Sequence, residues 1–492
     1  MKFKIKRLNW FAGRPVVIFS PKAARILNIH INERVAISYK KKKFYAVVDI
    51  FSDITEDNEI GLSFEVVSFF NFKRDVFVDV FPADSTKAGQ IIKKKMNGSE
   101  LNENEIKTLI KEISNNNLTE AEIAFFVSAE KIRGLSLKEI YYLTKAMIET
   151  GKKLNFGDKI IADKHCVGGI AGNRTTPLVI SICAAAGLVL PKTSSRAITS
   201  AAGTADTVET IARVEFNKEE IMRIIKKTGA CLVWNGVLNL SPSDDKIIHV
   251  ERMLNLDVEP QLIASIMSKK ISAGSNHILL DIPYGGGKFL KLEDAKDLGK
   301  KFYYIAKNFG VRLRVVYTDG SQPIGKGVGP VLEMLDILNI LRGNGPEDLK
   351  EKALFLSSEL MDLCGIKNSR EKARDILESG KAYNKFREII NAQNGKKDFE
   401  NRIRRLKLAK YQKDIIAKNN GKITSIDNKK INLLCRILGA PETKNAGVYF
   451  HKKKGSVEKG EKILTLYSES EIKLREGLKF FSEFEPIIFR QI

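Results

Sequence analysis

Among 492 residues the chain holds only five cysteines, five histidines and two tryptophans. Cys166, Cys183, Cys231, Cys364 and Cys435 lie far apart and form no CxxC pair, so neither a zinc knuckle nor a disulfide framework is expected, and a reducing compartment fits. No apolar run reaches the roughly 18 residues a membrane helix needs. The N-terminal MKFKIKRLNWFAG has no apolar stretch behind its charges, as a secretion signal would. The expectation is a cytoplasmic protein without a membrane partner. Tandem repeats and low-complexity blocks are also missing, and 43% hydrophobic with 29% charged residues describes a globular chain of several domains.

Acidic residues are the scarcer charge. Lys and Arg number 82 against 59 for Asp and Glu, a net +23, which favours anionic partners such as phosphates and nucleotides. The basic residues are scattered with acids between them, and no zinc-finger, basic-zipper or RNA-platform signature occurs, so nucleic acid is not expected as a partner.

Four segments follow from the pattern. Residues 1–84 alternate short β-rich runs (Pro15 to Phe19, Arg34 to Tyr39, Lys43 to Ile50, Val76 to Phe81) with turn residues, as a small β-barrel does. Residues 85–150, joined by part of about 240–270, read as helical. Three starts there carry a capping box or its Asn variant: Asn102 with Glu105, Thr119 with Glu122, and Ser136 with Glu139. In 151–408, apolar runs (Lys159 to Ala162, Leu188 to Leu190, Ala230 to Trp234, His277 to Ile282, Val311 to Tyr317) alternate with helical patterns. That predicts a parallel α/β sheet with ligand loops at the carboxyl ends of its strands. Residues 409–492 return to β-rich runs.

Five stretches carry chemistry. DKHCVGGIAGN, from Asp163 to Asn173, follows an apolar run; Gly168, Gly169 and Gly172 let backbone approach a ligand, and Lys164 adds a charge. It lacks the GxxxxGK[ST] and GxGxxG patterns, and serves either as an anion cradle or as a plain strand-to-helix turn. TSSRAITSAAGTADTVE, from Thr193, surrounds Arg196 with hydroxyls at Ser194, Ser195, Thr199, Ser200 and Thr204, and an arginine there can grip a phosphate with two parallel hydrogen bonds. Asp257 stands in an apolar stretch before a helix starting near Pro260, where a carboxylic acid can act as a proton donor. Ser265 and Lys269, four apart, share a helix face. DIPYGGGK, ending at Lys288, and TDGSQPIGKGVGP are further strand-end loops. Loops of this kind at successive parallel strands converge on one crevice.

DKHCVGG, SSRAITSAAGTADTVE, SPSDDK and ASIMSKK, in this order and spacing from about residue 85 to the C-terminus, resemble the thymidine and pyrimidine-nucleoside phosphorylase family, most closely its archaeal AMP phosphorylase branch. Cys166 stands where the nucleoside enzymes have a serine, and SSRAITSAAGT replaces SGRGLGHTGGT; the SSRAITS form and the N-terminal β module favour the nucleotide branch. The resemblance implies the class II nucleoside phosphorylase fold, a helical domain plus a parallel or mixed α/β domain, with small β-rich modules at both ends. It implies the reaction AMP + phosphate to adenine + ribose 1,5-bisphosphate, with CMP and UMP as further substrates and a product leading through ribulose bisphosphate to a Rubisco. Gly168, Gly169, Ser195, Arg196, Ala197, Ile198, Thr199, Ser200, Thr204, Ser265, Lys269 and Lys288 would bind the nucleotide. Lys164, Ser194 and Thr204 would hold the attacking phosphate, and Asp257 would protonate the departing base. Lys288 is carried over across a glycine loop one residue shorter than the family's. No metal or organic cofactor is implied, inorganic phosphate being a co-substrate, and a homodimer or larger homo-oligomer is expected. The alternatives are a pyrimidine-nucleoside or thymidine phosphorylase and a phosphoribosyltransferase of the related fold.

Overall fold

The computed structural model describes residues 1–83, 87–157, 159–197, 200–236, 238, 240–254 and 256–491. It divides into two compact units, residues 1–150 with 242–264, and residues 151–241 with 265–492.

The first unit opens with β1 (Lys2–Arg7), β2 (Val16–Phe19), β3 (Arg34–Tyr39), β4 (Lys42–Ile50), β5 (Glu59–Leu62) and β6 (Phe77–Pro82), which close into a barrel in the order β1-β5-β2-β4-β3-β6. Closure leaves no unpaired strand edge. Inward residues such as Phe3, Ile5, Phe19, Ile37 and Ile60 are fully buried and fill the barrel.

Short helices Pro21–Leu27 and Phe64–Phe70 join the barrel strands, and beyond the barrel the unit's helices include Lys87–Met96, Glu103–Ser114, Glu120–Arg133, Leu137–Thr150 and Pro242–Met253. Ile106, Leu109, Ile110 and Ile113 form a buried stripe, and Ile247, Val250 and Val258 of the returning segment join the same core. Reciprocal bonds form at Asn102/Glu105 and Thr119/Glu122, and Ser136 and Glu139 exchange bonds of 2.8 and 3.3 Å. Each pair satisfies backbone donors that the first helical turn leaves unpaired.

The second unit is α/β. Its strands β7 (Ala162–Cys166), β8 (Leu190–Ser194), β9 (Ala230–Trp234), β10 (His277–Tyr284) and β11 (Arg312–Asp319) form a parallel sheet of order β11-β10-β7 and a parallel pair β8-β9. A parallel bridge from Ile161 to Val189 joins the segments entering β7 and β8. In β10, His277 to Pro283 are all buried, the signature of a central parallel strand covered on both faces. The covering helices include Thr176–Ala185, Glu347–Leu363 and Lys381–Asn394, with Leu178, Ile180, Leu279, Leu356 and Phe386 in one core.

The chain ends in two antiparallel sheets. One has the order β12-β15-β17-β13 and is built from β12 (Gly327–Val328), β13 (Tyr411–Ile416), β15 (Gly447–Phe450) and β17 (Lys462–Ser468); the other has the order β16-β14-β18, from β14 (Gly421–Ile426), β16 (Gly455–Val457) and β18 (Ile487–Gln491). Helices Asn428–Leu438 and Glu471–Phe484 pack on them. No helix among the described residues is long and apolar enough to cross a membrane.

Candidate active site

The first glycine-rich stretch begins inside the sheet. The apolar run Lys159 to Ala162 ends where β7 starts, so Asp163, Lys164, His165 and Cys166 are strand residues and the turn begins at Val167. The strand can bury these groups because each charge has a partner. Asp163 is 3.2 Å from Lys192 and 2.8 Å from Lys270, and Lys192 also donates to the Lys164 carbonyl at 2.7 Å.

Lys164 is fully buried and its Nζ donates to Thr175 Oγ1 at 2.7 Å. Burial pushes its ammonium below the ordinary lysine range, opposed by Cys166 and Asp281. Burial, then the cations of Lys270, Lys192, Lys164 and Lys269, keep the His165 ring neutral. Burial likewise pushes the Cys166 thiol up to about 12, and its Sγ accepts from Asn173 Nδ2 at 3.2 Å. Cys166 is therefore a neutral, packed thiol and not an activated nucleophile.

Three strand-end loops pack on one another through bare backbone. Gly169 holds φ +104°, and a β-carbon there would sit 3.1 Å from the Lys288 nitrogen and 3.3 Å from Gly287 Cα. Gly172, at φ +68°, lies against the Ile324 carbonyl, which a β-carbon would strike. These positions need glycine both for conformation and for space. The packing sets the Gly168–Gly169 turn beside half-buried Lys288 and the Thr318–Pro330 loop. At the carboxyl ends of the same strands, Asp281 accepts from Thr318 Oγ1 at 2.6 Å and lies 3.3 Å from Lys352 Nζ.

The second stretch leaves β8 at Ser194, whose hydroxyl oxygen is buried with no hydrogen-bond partner among the described residues. A buried hydroxyl without a protein partner is suited to a ligand. Arg196, expected to grip an anion, is engaged here by carboxylates. Its guanidinium makes paired bonds to Glu209 at 2.6 and 2.7 Å, approaches Asp206 at 3.3 Å and Glu215 at 3.1 Å, and stacks 4.7 Å over the Trp234 ring. With its fork engaged by carboxylates, the side chain braces the loop.

Asp206 completes that bracing, accepting from Ala197 N at 2.7 Å and from Gly203 N at 2.9 Å. Ser200 donates to the Ala202 carbonyl at 2.9 Å, and Ser195 is exposed. Ile198 and Thr199 lie outside the described residues. Thr204, at the start of helix Thr204–Glu209, accepts from Arg174 at 3.1 Å.

Arg174 is the residue that sequence reasoning passed over. It follows the glycine-rich turn, donates to Glu333 at 2.6 Å and to the Ala202 carbonyl at 2.6 Å, and so ties the first stretch to the second. Glu333, buried in the apolar helix Pro330–Leu341, also accepts from Thr207 at 3.1 Å. Burial raises its carboxyl pKa against the pull of Arg174. A lone glutamate in PVLEMLDIL was the available signal, since a buried acid requires a partner.

Ser265 and Lys269 meet on one face of helix Glu259–Ser272, where Lys269 Nζ is 3.5 Å from Ser265 Oγ. Asp257 belongs to the first unit, in the turn preceding that helix, and its carbonyl accepts from Lys131 at 3.0 Å. Its apolar neighbours in sequence do not bury it, and the residue is exposed.

The chain matches the helical bundle domain of the glycosyl transferase family over residues 89–151, the a/b domain of that family over 158–383, and the pyrimidine nucleoside phosphorylase C-terminal domain over 422–483. It is 43% identical to the AMP phosphorylase of Pyrococcus furiosus and 42% identical to that of Thermococcus kodakarensis, in each case over 99% of this chain and 97% of the relative. Identity to AMP phosphorylase 1 of Archaeoglobus fulgidus is 39% over the same shares. Among solved structures, anthranilate phosphoribosyltransferase from Thermus thermophilus superposes with a TM-score of 0.54 at 19% identity, covering 62% of this chain and 99% of that one, a likeness of fold.

Proposed function

The chain belongs to the AMP phosphorylase family, and from that premise we propose that it cleaves AMP with inorganic phosphate to adenine and ribose 1,5-bisphosphate. The observation that carries this reading is the buried Lys164 ammonium, 2.7 Å from Thr175, on the strand that opens into the Gly168–Gly169 turn. A cation set in low dielectric beside backbone donors binds an anion more strongly than one in water.

In this proposal Lys164, Ser194 and Thr204 hold the attacking phosphate. Gly168, Gly169, Ser195 to Ser200 with Arg196 among them, Thr204, Ser265, Lys269 and Lys288 contact the nucleotide. A phosphate oxygen forms the new bond to C1′ of the ribose as the glycosidic bond breaks, the bonding pair leaving with the base. Asp257 supplies the proton that neutralises the base nitrogen. CMP and UMP are further substrates, and the bisphosphate product feeds a ribulose bisphosphate and Rubisco route. The protein acts in the cytoplasm as a homodimer or larger homo-oligomer and needs no metal or organic cofactor.

The test is phosphate-dependent base release from AMP, CMP, UMP, adenosine and thymidine, with and without a chelator, for wild type and Asp257→Asn. Release from the nucleotides only, with ribose 1,5-bisphosphate formed and the variant impaired, is the expected result. Turnover of nucleosides alone would assign the chain a pyrimidine-nucleoside phosphorylase activity. Release that requires diphosphate and Mg²⁺ would assign it to phosphoribosyl transfer.

A further inference from the structure

Two asparagines from the C-terminal β-rich segment reach into the anion loops. Helix Asn428–Leu438 starts at the cap residue Asp427, whose Oδ1 accepts from Lys429 N at 2.8 Å and Lys430 N at 3.1 Å. That start presents Asn428 and, one turn on, Asn432, both nearly fully buried. Asn428 Oδ1 accepts from Ala171 N at 3.0 Å, and its Nδ2 donates to the Gly320 carbonyl at 3.0 Å. One side chain thereby bridges the first glycine-rich turn and the loop after β11, and the two partners fix which end of the amide is which. Asn432 Oδ1 accepts from Ala201 N at 3.0 Å, within the second stretch. Ala171 and Ala201 sit in the same apolar core as Ile431, Leu434 and Cys435 of that helix.

We propose that Asn428 and Asn432 are positioning residues that set the spacing of the two anion loops, so that the C-terminal helix governs the affinity for the attacking phosphate. This rests on the phosphorylase reading above. The physical reason is that loop backbone carries donors and acceptors that must be paired when buried. Pairing them through two amides four residues apart on one rigid helix couples both loops to a single reference. Removing an amide leaves Ala171 N–H, Gly320 C=O or Ala201 N–H buried and unpaired, and the loop relaxes to re-pair it.

The variants Asn428→Leu and Asn432→Leu remove the amides at nearly constant size. Asn432→Leu, which leaves one buried group unsatisfied, is expected to raise the KM for phosphate about tenfold, and Asn428→Leu, which leaves two, by at least as much, with kcat held within about threefold. Asn432→Asp retains the oxygen that accepts from Ala201 and is expected to recover most of the phosphate affinity lost in Asn432→Leu. Leu433→Ala, on the exposed side of the same helix, is the control expected to leave both constants unchanged. Hydrogen exchange over residues 167–173 and 200–203 should quicken in the leucine variants and not in the control.

Phosphate KM values unchanged from wild type, or an Asn432→Asp as weak as Asn432→Leu, would overturn the inference. If a leucine variant fails to fold, Asn428→Ser and Asn432→Ser, whose short hydroxyls cannot span to the same backbone partners, take its place with the same readouts and the same expected rise in phosphate KM. A wild type that releases no base from AMP would instead overturn the phosphorylase reading, and hydrogen exchange would still judge the brace by itself.

Discussion

Arg196 and Glu209 close on each other through both terminal guanidinium nitrogens and both carboxylate oxygens, at 2.6 and 2.7 Å, across the base of the second anion loop. The Arg196 hydrogen bonds, ahead of those from Lys444, hold the Glu209 carboxyl at about 2. Its folded pKa lies below the ordinary value, so the pair stabilises the loop fully above about pH 4.5 and loses that contribution as pH falls towards 2. Arg196→Lys keeps the charge and loses the fork. It should cost about 1 kcal/mol of stability, since the pair is partly exposed, and raise the KM for AMP about fivefold through a loosened loop. Activity and melting temperature equal to wild type would show that the fork does not shape the loop.

Lys164→Met should separate stability from function. The substitution removes a buried ammonium that burial disfavours and fills the same space, so the melting temperature should hold or rise by about 2 °C. The rate at fixed phosphate should fall about 100-fold or more, as when a preorganised donor to a developing charge is lost. A marked fall in melting temperature with activity retained would make Lys164 a structural cation.

Gly168 and Gly169 are neighbours that should respond differently to one methyl group. A β-carbon at Gly168 meets nothing within 4 Å, whereas at Gly169, φ +104°, it crowds the Lys288 nitrogen. Gly169→Ala should destabilise by about 1–3 kcal/mol from backbone strain and lower kcat/KM, while Gly168→Ala should leave thermal unfolding unchanged. Any activity lost in Gly168→Ala then reports a ligand against that face. Equal melting points for the two variants would refute the packing described for the loops.

Asp336 gives a pH signature of opposite sign to Glu209. Burial raises its carboxyl to about 6, offset in part by the Gly327 and Lys326 backbone donors, which reach the same Oδ2 at 2.8 and 2.7 Å. Because the folded form holds its proton longer than the unfolded one, stability should fall as pH rises from about 4 to about 6, by about 2–3 kcal/mol from this group. Asp336→Asn keeps an acceptor oxygen and should flatten that decline in denaturant titrations. Parallel slopes for variant and wild type would contradict it.

What the sequence disclosed was what neighbouring residues decide. The boxes at Asn102, Thr119 and Ser136 are reciprocal bonds between residues three apart, and each forms. β9 occupies the same residues as its apolar run. Pairing over distance was hidden. β1 is charged at alternate positions and gains its place from Glu59 to Leu62, more than fifty residues away. β7 extends through Asp163 and Lys164 only because Lys192 and Lys270 neutralise the aspartate. Arg196, read within its own loop, pointed to a phosphate, while Glu209 and Glu215, 13 and 19 residues later, claim its fork. The C-terminal segment read as strands throughout, and its helix Asn428–Leu438 with the two inserted asparagines carries no motif that composition reveals.

The bond between Ala171 and Asn428 joins residues 257 positions apart. At ribosomal speeds of about 5–20 residues per second, the first anion loop emerges roughly 13 to 50 s before the amide that clasps it exists. A nascent or prematurely terminated chain thus displays both signature stretches in full while the backbone groups at Ala171 and Ala201 still await their partners. Maturation of the binding loops waits on residues synthesised well after both signature stretches.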